Sequence, residues 1–363
     1  MVKNKSDLFI VCGERSGDLH GSELVKELLK INPSLKIHCW GGDLMKTSGA
    51  KLLEDYRSYS IMGFIEVLKK IFFLYNKIQK CEIDILRLNP RRVLLIDFPG
   101  FNLRIAKFCK KNKIKVDYMI PPKTWAWNSR RNLTLKKNIN NIYSILPFEK
   151  KYFEKNGLDV TYIGNPLINR IKRKGVKKNR KYIGLFPGSR GSEIKYSLSI
   201  FIELIEDYNQ EDFIVFGVPN LISSSYDIIS RYKNIKMVFD NTYESLNECK
   251  YAVVMSGTAS LEVALMKVPH VVVYKASRIS YFIAKLLVKL KYYSLVNIIM
   301  EKEVVRELIQ DKFILENIKS ELNRLKIKKS QKKMIDDFND LSGRIGDQKS
   351  SQKLAKIIYE KLL

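Results

Sequence analysis

KYIGLFPGSRGSE, residues Lys181 to Glu193, is the stretch on which the fold turns. Lys181–Phe186 is a short apolar run that suits a buried strand, and Pro187-Gly188-Ser189-Arg190-Gly191-Ser192-Glu193 is a small-residue loop that opens a helix. The pattern returns at Tyr251–Met255 (YAVVM), which runs into Ser256-Gly257-Thr258 and a helical stretch, Ala259–Lys267. A strand, a tight turn and a helix start gather backbone N–H groups and the positive helix end at one point. Such a point holds a phosphate. Two of them in one half predict a nucleotide diphosphate site.

Strands are expected around both loops at Phe213–Phe216, Ile235–Phe239 and His270–Tyr274, with a charged helical tail after about Phe313. The first half alternates in the same way. Strands are expected at Leu8–Cys12, Leu35–Trp40, Arg92–Ile96, Val116–Ile120, Ile142–Leu146 and Val160–Ile163. Helices are expected at Gly21–Lys30, Phe101–Lys111 and Glu149–Asn156. Alternation of this kind predicts parallel sheets wrapped by helices. The basic stretch Asn169–Lys181 interrupts the apolar pattern and reads as a linker between two doubly wound α/β domains. Ligands of such a pair are expected outside the carboxyl ends of the strands, in a cleft between the domains.

Composition narrows the class. The 363 residues suffice for two ordinary domains, and 45% are hydrophobic, as in globular protein. The net charge of +27 invites nucleic acid, anionic membrane or phosphorylated substrates, and a lysine-rich composition explains it equally well. No nucleic-acid-binding module is visible. The five cysteines are scattered without metal or disulfide spacing, which suits a reducing compartment, and His20, His38 and His270 form no ligand cluster. Lysines interrupt every apolar run before it reaches spanning length, and the polar start Met1–Asp7 is not a secretory signal.

Further loops complete an ordered set. They are Gly13–Gly21 (GERSGDLHG), Ile61–Leu68 (IMGFIEVL), Ile96–Asn102 (IDFPGFN), Pro121–Trp127 (PPKTWAW), Leu146–Glu149 (LPFE), Ile163–Pro166 (IGNP), Phe186–Ile194 (FPGSRGSEI), Ser256–Glu262 (SGTASLE) and Tyr293–Asn297 (YSLVN), followed by Glu303–Leu308 (EVVREL). Together, from about Leu8 to Leu308, they resemble the lipid-A-disaccharide synthase family of inverting bacterial glycosyltransferases. The resemblance implies a GT-B fold of two Rossmann-like domains facing a cleft. An acceptor-binding domain would span 1–168 and a UDP-sugar domain 169–335. A C-terminal helix, 336–363, would pack back on the first domain or on a partner subunit, which leaves room for a homodimer. The implied reaction carries 2,3-diacylglucosamine from its UDP derivative to 2,3-diacylglucosamine 1-phosphate, giving a β(1→6) disaccharide and UDP. No metal or other cofactor is expected, and UDP serves only as the donor's carrier. A UDP-sugar epimerase or another glycosyltransferase of this fold is the alternative. Gly100 stands where the family often has Asp, Asn165 where it often has His, and Arg15 where it often has Thr or Ala.

Each candidate residue has a plainer reading beside it. Asp97, at a strand end, is the expected base for the acceptor hydroxyl, or else caps the next helix. Arg190 would clamp the diphosphate bidentately and offset leaving-group charge, with Gly188 and Ser189 bringing backbone N–H groups near. Ser256, Gly257 and Thr258 would form a second phosphate site, or an ordinary helix cap. Glu262, one turn on, would hold ribose hydroxyls, and Asn297 matches a functional asparagine of the family. Glu14, Ser16, Gly17 and Asp18 would wall the acceptor pocket, or serve as caps. Trp125 and Trp127, two apart on an extended segment, suit a sugar or acyl pocket and the core equally. Phe64, Leu68, Phe72 and Phe73 lie on the apolar and basic stretch Ile61–Lys80. That stretch reads either as a buried helix or as one lying on the cytoplasmic face of the anionic inner membrane.

Overall fold

In a computed structural model the structure describes residues 5–59, 71–172, 180–218, 226–229, 231–240, 242–277, 281, 290–346 and 349–363. The chain forms two compact units: Met1–Pro166 with Gln348–Leu363, and Leu167–Asp347.

Unit 1 is built on strands β1 (Leu8–Cys12), β2 (Ile37–Gly41), β3 (Lys51–Asp55), β4 (Arg92–Ile96), β5 (Lys115–Met119), β6 (Asn141–Ser144) and β7 (Val160–Tyr162). They pair in parallel in the order β3-β2-β1-β4-β5-β6-β7. Helices α1 (Arg15–Ile31), α2 (Asp43–Thr47), α3 (Ile71–Leu88), α4 (Pro99–Lys111), α5 (Arg131–Asn138) and α6 (Pro147–Lys155) connect them. Successive strand side chains point to opposite faces, and both faces are covered. Phe9, Val11, Val93 and Leu95 therefore enter one core, and Leu8, Ile10, Leu94 and Ile96 the other. This double burial is why β1 and β4 read as unbroken apolar runs.

Unit 2 contains β8 (Tyr182–Phe186), β9 (Phe213–Phe216), β10 (Ile235–Val238), β11 (Cys249–Met255), β12 (His270–Tyr274) and β13 (Glu307–Ile309), in the parallel order β10-β9-β8-β11-β12-β13. Its helices are α7 (Pro166–Lys172), α8 (Gly191–Asp207), α9 (Thr242–Leu246), α10 (Thr258–Leu265), α11 (Leu295–Met300), α12 (Leu315–Lys326) and α13 (Lys328–Ile345). The last helix, α14 (Ser350–Leu362), returns to unit 1. Leu354, Ala355, Ile358 and Leu362 share a core with Leu24, Val25 and Leu28 of α1. Arg91 Nη1 donates to the Leu362 carbonyl at 2.7 Å and Lys353 Nζ to the Tyr162 carbonyl at 2.9 Å.

Three expectations change. The segment 336–363 is not one helix, because residues up to 345 finish α13 in unit 2 and only α14 joins unit 1. The expected linker opens inside α7, while 173–179 lie outside the described residues. Helix α1 starts six residues before Gly21, so Ser16, Gly17 and Asp18 form its first turn rather than a loop.

Each sheet reverses its strand order once, between β1 and β4 in unit 1 and between β8 and β11 in unit 2. At such a switch point the outgoing chains diverge and leave a crevice at the carboxyl ends. Gly13-Glu14 and Asp97-Phe98 leave β1 and β4, and the loops at 187–190 and 256–257 leave β8 and β11. Four of the loops singled out in the sequence thus lie at switch points.

Candidate active site

Asp97 and Phe98 leave β4 with φ of +48° each, a left-handed conformation that is costly for residues with a Cβ. Tertiary contacts impose it. The Asp97 carbonyl accepts from Tyr118 Oη at 2.5 Å and Asn102 Nδ2 at 2.7 Å, and the Asp97 N–H donates to Met119 O at 3.0 Å. Phe98 stacks on Phe101 at 5.6 Å, beside Tyr59. A Cβ added to Gly13 would lie 2.2 Å from the Phe98 ring, so glycine is required there. The two-residue twist sets the direction of the Asp97 side chain. Phe98, not Asp97, is the N-cap of α4 and its side chain makes no capping bond, while the Asp97 carboxyl meets the Phe98 N–H beside it. Burial raises the Asp97 pKa, and Lys123 and the Phe98 N–H oppose the rise. A raised carboxylate pKa makes a better base.

Two of the four residues expected to wall the acceptor pocket serve the fold instead. Asp18 is 2% exposed; its carboxylate accepts from the N–H groups of Gly42 at 2.9 Å, Leu44 at 3.1 Å and Met45 at 3.1 Å. It therefore caps α2 across the chain. A Cβ on Gly17 would come within 2.7 Å of Cys12 Cβ, so Gly17 lets α1 sit down on β1. Ser16 is exposed and Glu14 half-buried. The tryptophans do not share one face of an extended segment, because residues 124–126 form a turn. The Trp125 indole N–H donates to Glu149 Oε1 at 3.0 Å, whereas Trp127 is exposed with Arg131 over its ring at 4.6 Å.

In unit 2, Gly188 has φ +111° and a Cβ there would meet Glu193 Cβ at 2.7 Å. Both facts demand glycine. The N–H groups of Ser189 and Arg190 are not left open, however: Glu193 Oε2 accepts them at 3.0 and 3.3 Å. Glu193 Oε1 also takes Arg190 Nη1 at 3.1 Å, with the guanidinium mostly exposed. A phosphate here would meet the Arg190 head and the start of α8. At the second loop Gly257 is the N-cap of α10; no side chain caps the helix, and nothing lies within 4 Å of an added Cβ. Ser256 Oγ donates to the Tyr293 carbonyl at 3.3 Å. Thr258 is exposed in the first turn.

Glu262 accepts from the Tyr243 hydroxyl; burial raises its pKa, opposed by Tyr243 and Arg170. Asn297 needs a correction. It is wholly buried; its Nδ2 donates to Val305 O at 2.8 Å and Glu307 Oε1 at 2.9 Å, and its Oδ1 accepts from Val304 and Val305 N–H at 2.8 and 3.0 Å. Asn297 shapes the loop and is not placed to touch a ligand. Its partner Glu307, which also takes the Tyr293 and Ser294 N–H groups, was not among the expected site residues. Nor were Asn102, Tyr118, Lys123 and Glu149, although Asn102, Lys123 and Glu149 each lie within one of the quoted motifs.

The model of the family described as lipid-A-disaccharide synthetase matches residues 8–358. The chain belongs to the lipid-A-disaccharide synthase family. It is similar to the lipid-A-disaccharide synthases of Geobacter sulfurreducens (32% identical, covering 89% of each chain) and Nitrosococcus oceani (34%, covering 93% of this chain and 92% of that one). The relative in Myxococcus xanthus is 31% identical over 99% of both. Among solved structures, the UDP-GlcNAc 2-epimerase of Neisseria meningitidis bound to UDP-GlcNAc superposes with a TM-score of 0.69 at 15% identity, covering 98% of this chain and 100% of that one. The glycotransferase of kitacinnamycin gives 0.68 at 12%, covering 98% and 99%. These likenesses show the fold, the two-Rossmann kind that the motifs implied. Lipid-A-disaccharide synthases are glycosyltransferases acting on lipid-bearing sugars, and the chain is such an enzyme.

Proposed function

We propose that the chain moves 2,3-diacylglucosamine from UDP-2,3-diacylglucosamine onto the 6-hydroxyl of 2,3-diacylglucosamine 1-phosphate, with inversion. The observation that carries this is the buried Asp97, held in a left-handed backbone at the switch point of unit 1. Asp97 takes the acceptor proton as the anomeric carbon is attacked, and UDP is the leaving group. Arg190 and the starts of α8 and α10 meet its diphosphate charge in place of a divalent cation. Mixing the protein with both diacylated sugars should release UDP and a tetra-acylated disaccharide 1-phosphate, read by mass spectrometry. Formation of an epimerised UDP-sugar without disaccharide would sink the proposal. Arg190→Ala should weaken UDP binding about tenfold or more, with Arg190→Lys recovering only part, because a point charge cannot bind bidentately. Unchanged UDP affinity by calorimetry would remove Arg190 from the diphosphate site.

The protein would attach peripherally to the cytoplasmic face of the inner membrane. No helix among the described residues is long and apolar enough to cross a membrane. Helix α3 supports attachment, since Leu74, Ile78, Cys81 and Ile85 are buried while Phe72 is 82%, Tyr75 58% and Ile83 63% exposed. These three lie on the outward face, and half-exposed Phe73 adjoins them. Phe64 and Leu68 lie outside the described residues. Two lysines expected to meet headgroups are already engaged: Lys77 pairs with Glu54 at 2.7 Å and Lys80 pairs with the same carboxylate. Burial opposes ionisation of Glu54, yet hydrogen bonds from these lysines bring its pKa to about 2. Attachment through α3 thus rests on apolar insertion. Phe72→Ser with Phe73→Ser should release the protein from anionic vesicles and leave its melt cooperative; loss of the melt would mark these side chains as core.

A further inference from the structure

Glu193 sits among the groups that a diphosphate would meet at the Arg190 loop, and the proposed chemistry gives it no task. It is the third residue of α8 and 8% exposed. One carboxylate oxygen accepts the N–H groups of Ser189 and Arg190 at 3.0 and 3.3 Å. The other pairs with Arg190 Nη1 at 3.1 Å. The bond to the Arg190 N–H is half of an ordinary capping box, which glutamine forms as well as glutamate. Capping does not account for the other two contacts. Nor is the charge needed to hold the loop, which has a separate anchor. Wholly buried Ser197, one turn further along α8, donates to the Pro187 carbonyl at 2.7 Å. A negative charge thus stands where the fold does not require one, on the two N–H groups and the guanidinium that would receive the ligand.

We propose that Glu193 is a positioning residue for product release: its carboxylate competes with the diphosphate for Arg190 and the loop N–H groups, and it opposes UDP more than the donor. This rests on the reading of the Arg190 loop as the diphosphate site. As the anomeric C–O bond breaks, its electron pair stays on the β-phosphate oxygen, and the acceptor's proton goes to Asp97. In the donor that oxygen carries the sugar. In UDP it belongs to a terminal phosphate, which ionises a second time below neutral pH, so the product bears a further negative charge. A carboxylate fixed beside the diphosphate repels the more highly charged ligand more strongly. Like charges then share one guanidinium, and of the two only UDP can leave.

The test compares full-length wild type, Glu193→Gln, Glu193→Ala and Arg190→Ala, each first checked for a cooperative melt. UDP affinity is measured by calorimetry, and steady-state assays with both diacylated sugars give the donor KM and the inhibition constant of added UDP. Glutamine keeps the capping box and removes the charge. Glu193→Gln should bind UDP about threefold to tenfold more tightly, and the ratio of the UDP inhibition constant to the donor KM should fall about threefold or more. Glu193→Ala, which frees both N–H groups, should lower the same ratio. A side chain that only shapes the loop cannot give this result, since its loss weakens both ligands together. UDP affinity unchanged or weaker in Glu193→Gln, or a ratio that stays at the wild-type value in the cooperatively melting variants, overturns the inference. UDP affinity unchanged in Arg190→Ala instead removes the diphosphate from this loop, so the two failures are distinguishable.

Discussion

Asp97→Asn should lower turnover by roughly a hundredfold or more while leaving the fold as stable as before or more so. The two halves of that result have one cause. The folded-state pKa of Asp97 lies above its ordinary value because burial disfavours the charge. For a raised carboxyl pKa, the stabilising contribution is complete below the unfolded-state value and is lost as pH rises through the folded-state value. At neutral pH the ionised carboxylate is therefore a net strain on the fold, and asparagine relieves it without changing shape. The backbone devices that hold residue 97 involve its carbonyl and N–H, so they survive the change. Thermal melts and steady-state turnover on the same preparation check both halves. A melt that drops along with turnover would make Asp97 a structural residue, and full turnover would place the base elsewhere.

Asn297→Ala should cost about 3 kcal/mol or more of the stability of unit 2, the largest loss expected of any single exchange considered. Removing the amide strands the N–H and the carbonyl of Val305 in a buried setting, leaves the Val304 N–H only its bond to the Lys302 carbonyl, and takes one donor from Glu307. Buried donors left without a partner cost about 1–3 kcal/mol each. Urea denaturation gives the loss directly. If Asn297 were instead a nucleotide contact, the variant would unfold like wild type and lose only UDP affinity.

Why the sequence misleads at Asn297 and succeeds at β4 is a matter of where the partners lie. Strands Leu8–Cys12, Arg92–Ile96, Phe213–Phe216 and His270–Tyr274 are legible to the residue, because burial on both faces leaves an apolar run with sharp polar edges. Strand β3 (KLLED) escapes notice because it is a sheet edge of mixed polarity with no buried residue. The start of α1 is hidden by Gly17 and Gly21, which weaken a helical pattern. They are needed for close approach to Cys12 and Met45, contacts no local pattern reveals. The loops that carry chemistry are visible through their residue types. Whether a polar residue in them faces a ligand or the backbone is not. Asp18 meets its partners 24 to 27 residues away, and Glu149 meets Trp125 24 residues away.

Helix α14 lays the chain's last turns against α1, near its first. On the ribosome, the sheet that emerges first is therefore finished last. A nascent chain has every element of unit 2 in hand while α1 still presents Leu24, Val25 and Leu28 to the solvent or to a chaperone, waiting for Leu354, Ala355 and Ile358 to be translated. A message cut short just upstream of Ser350 would encode both sheets and still yield a protein prone to aggregate.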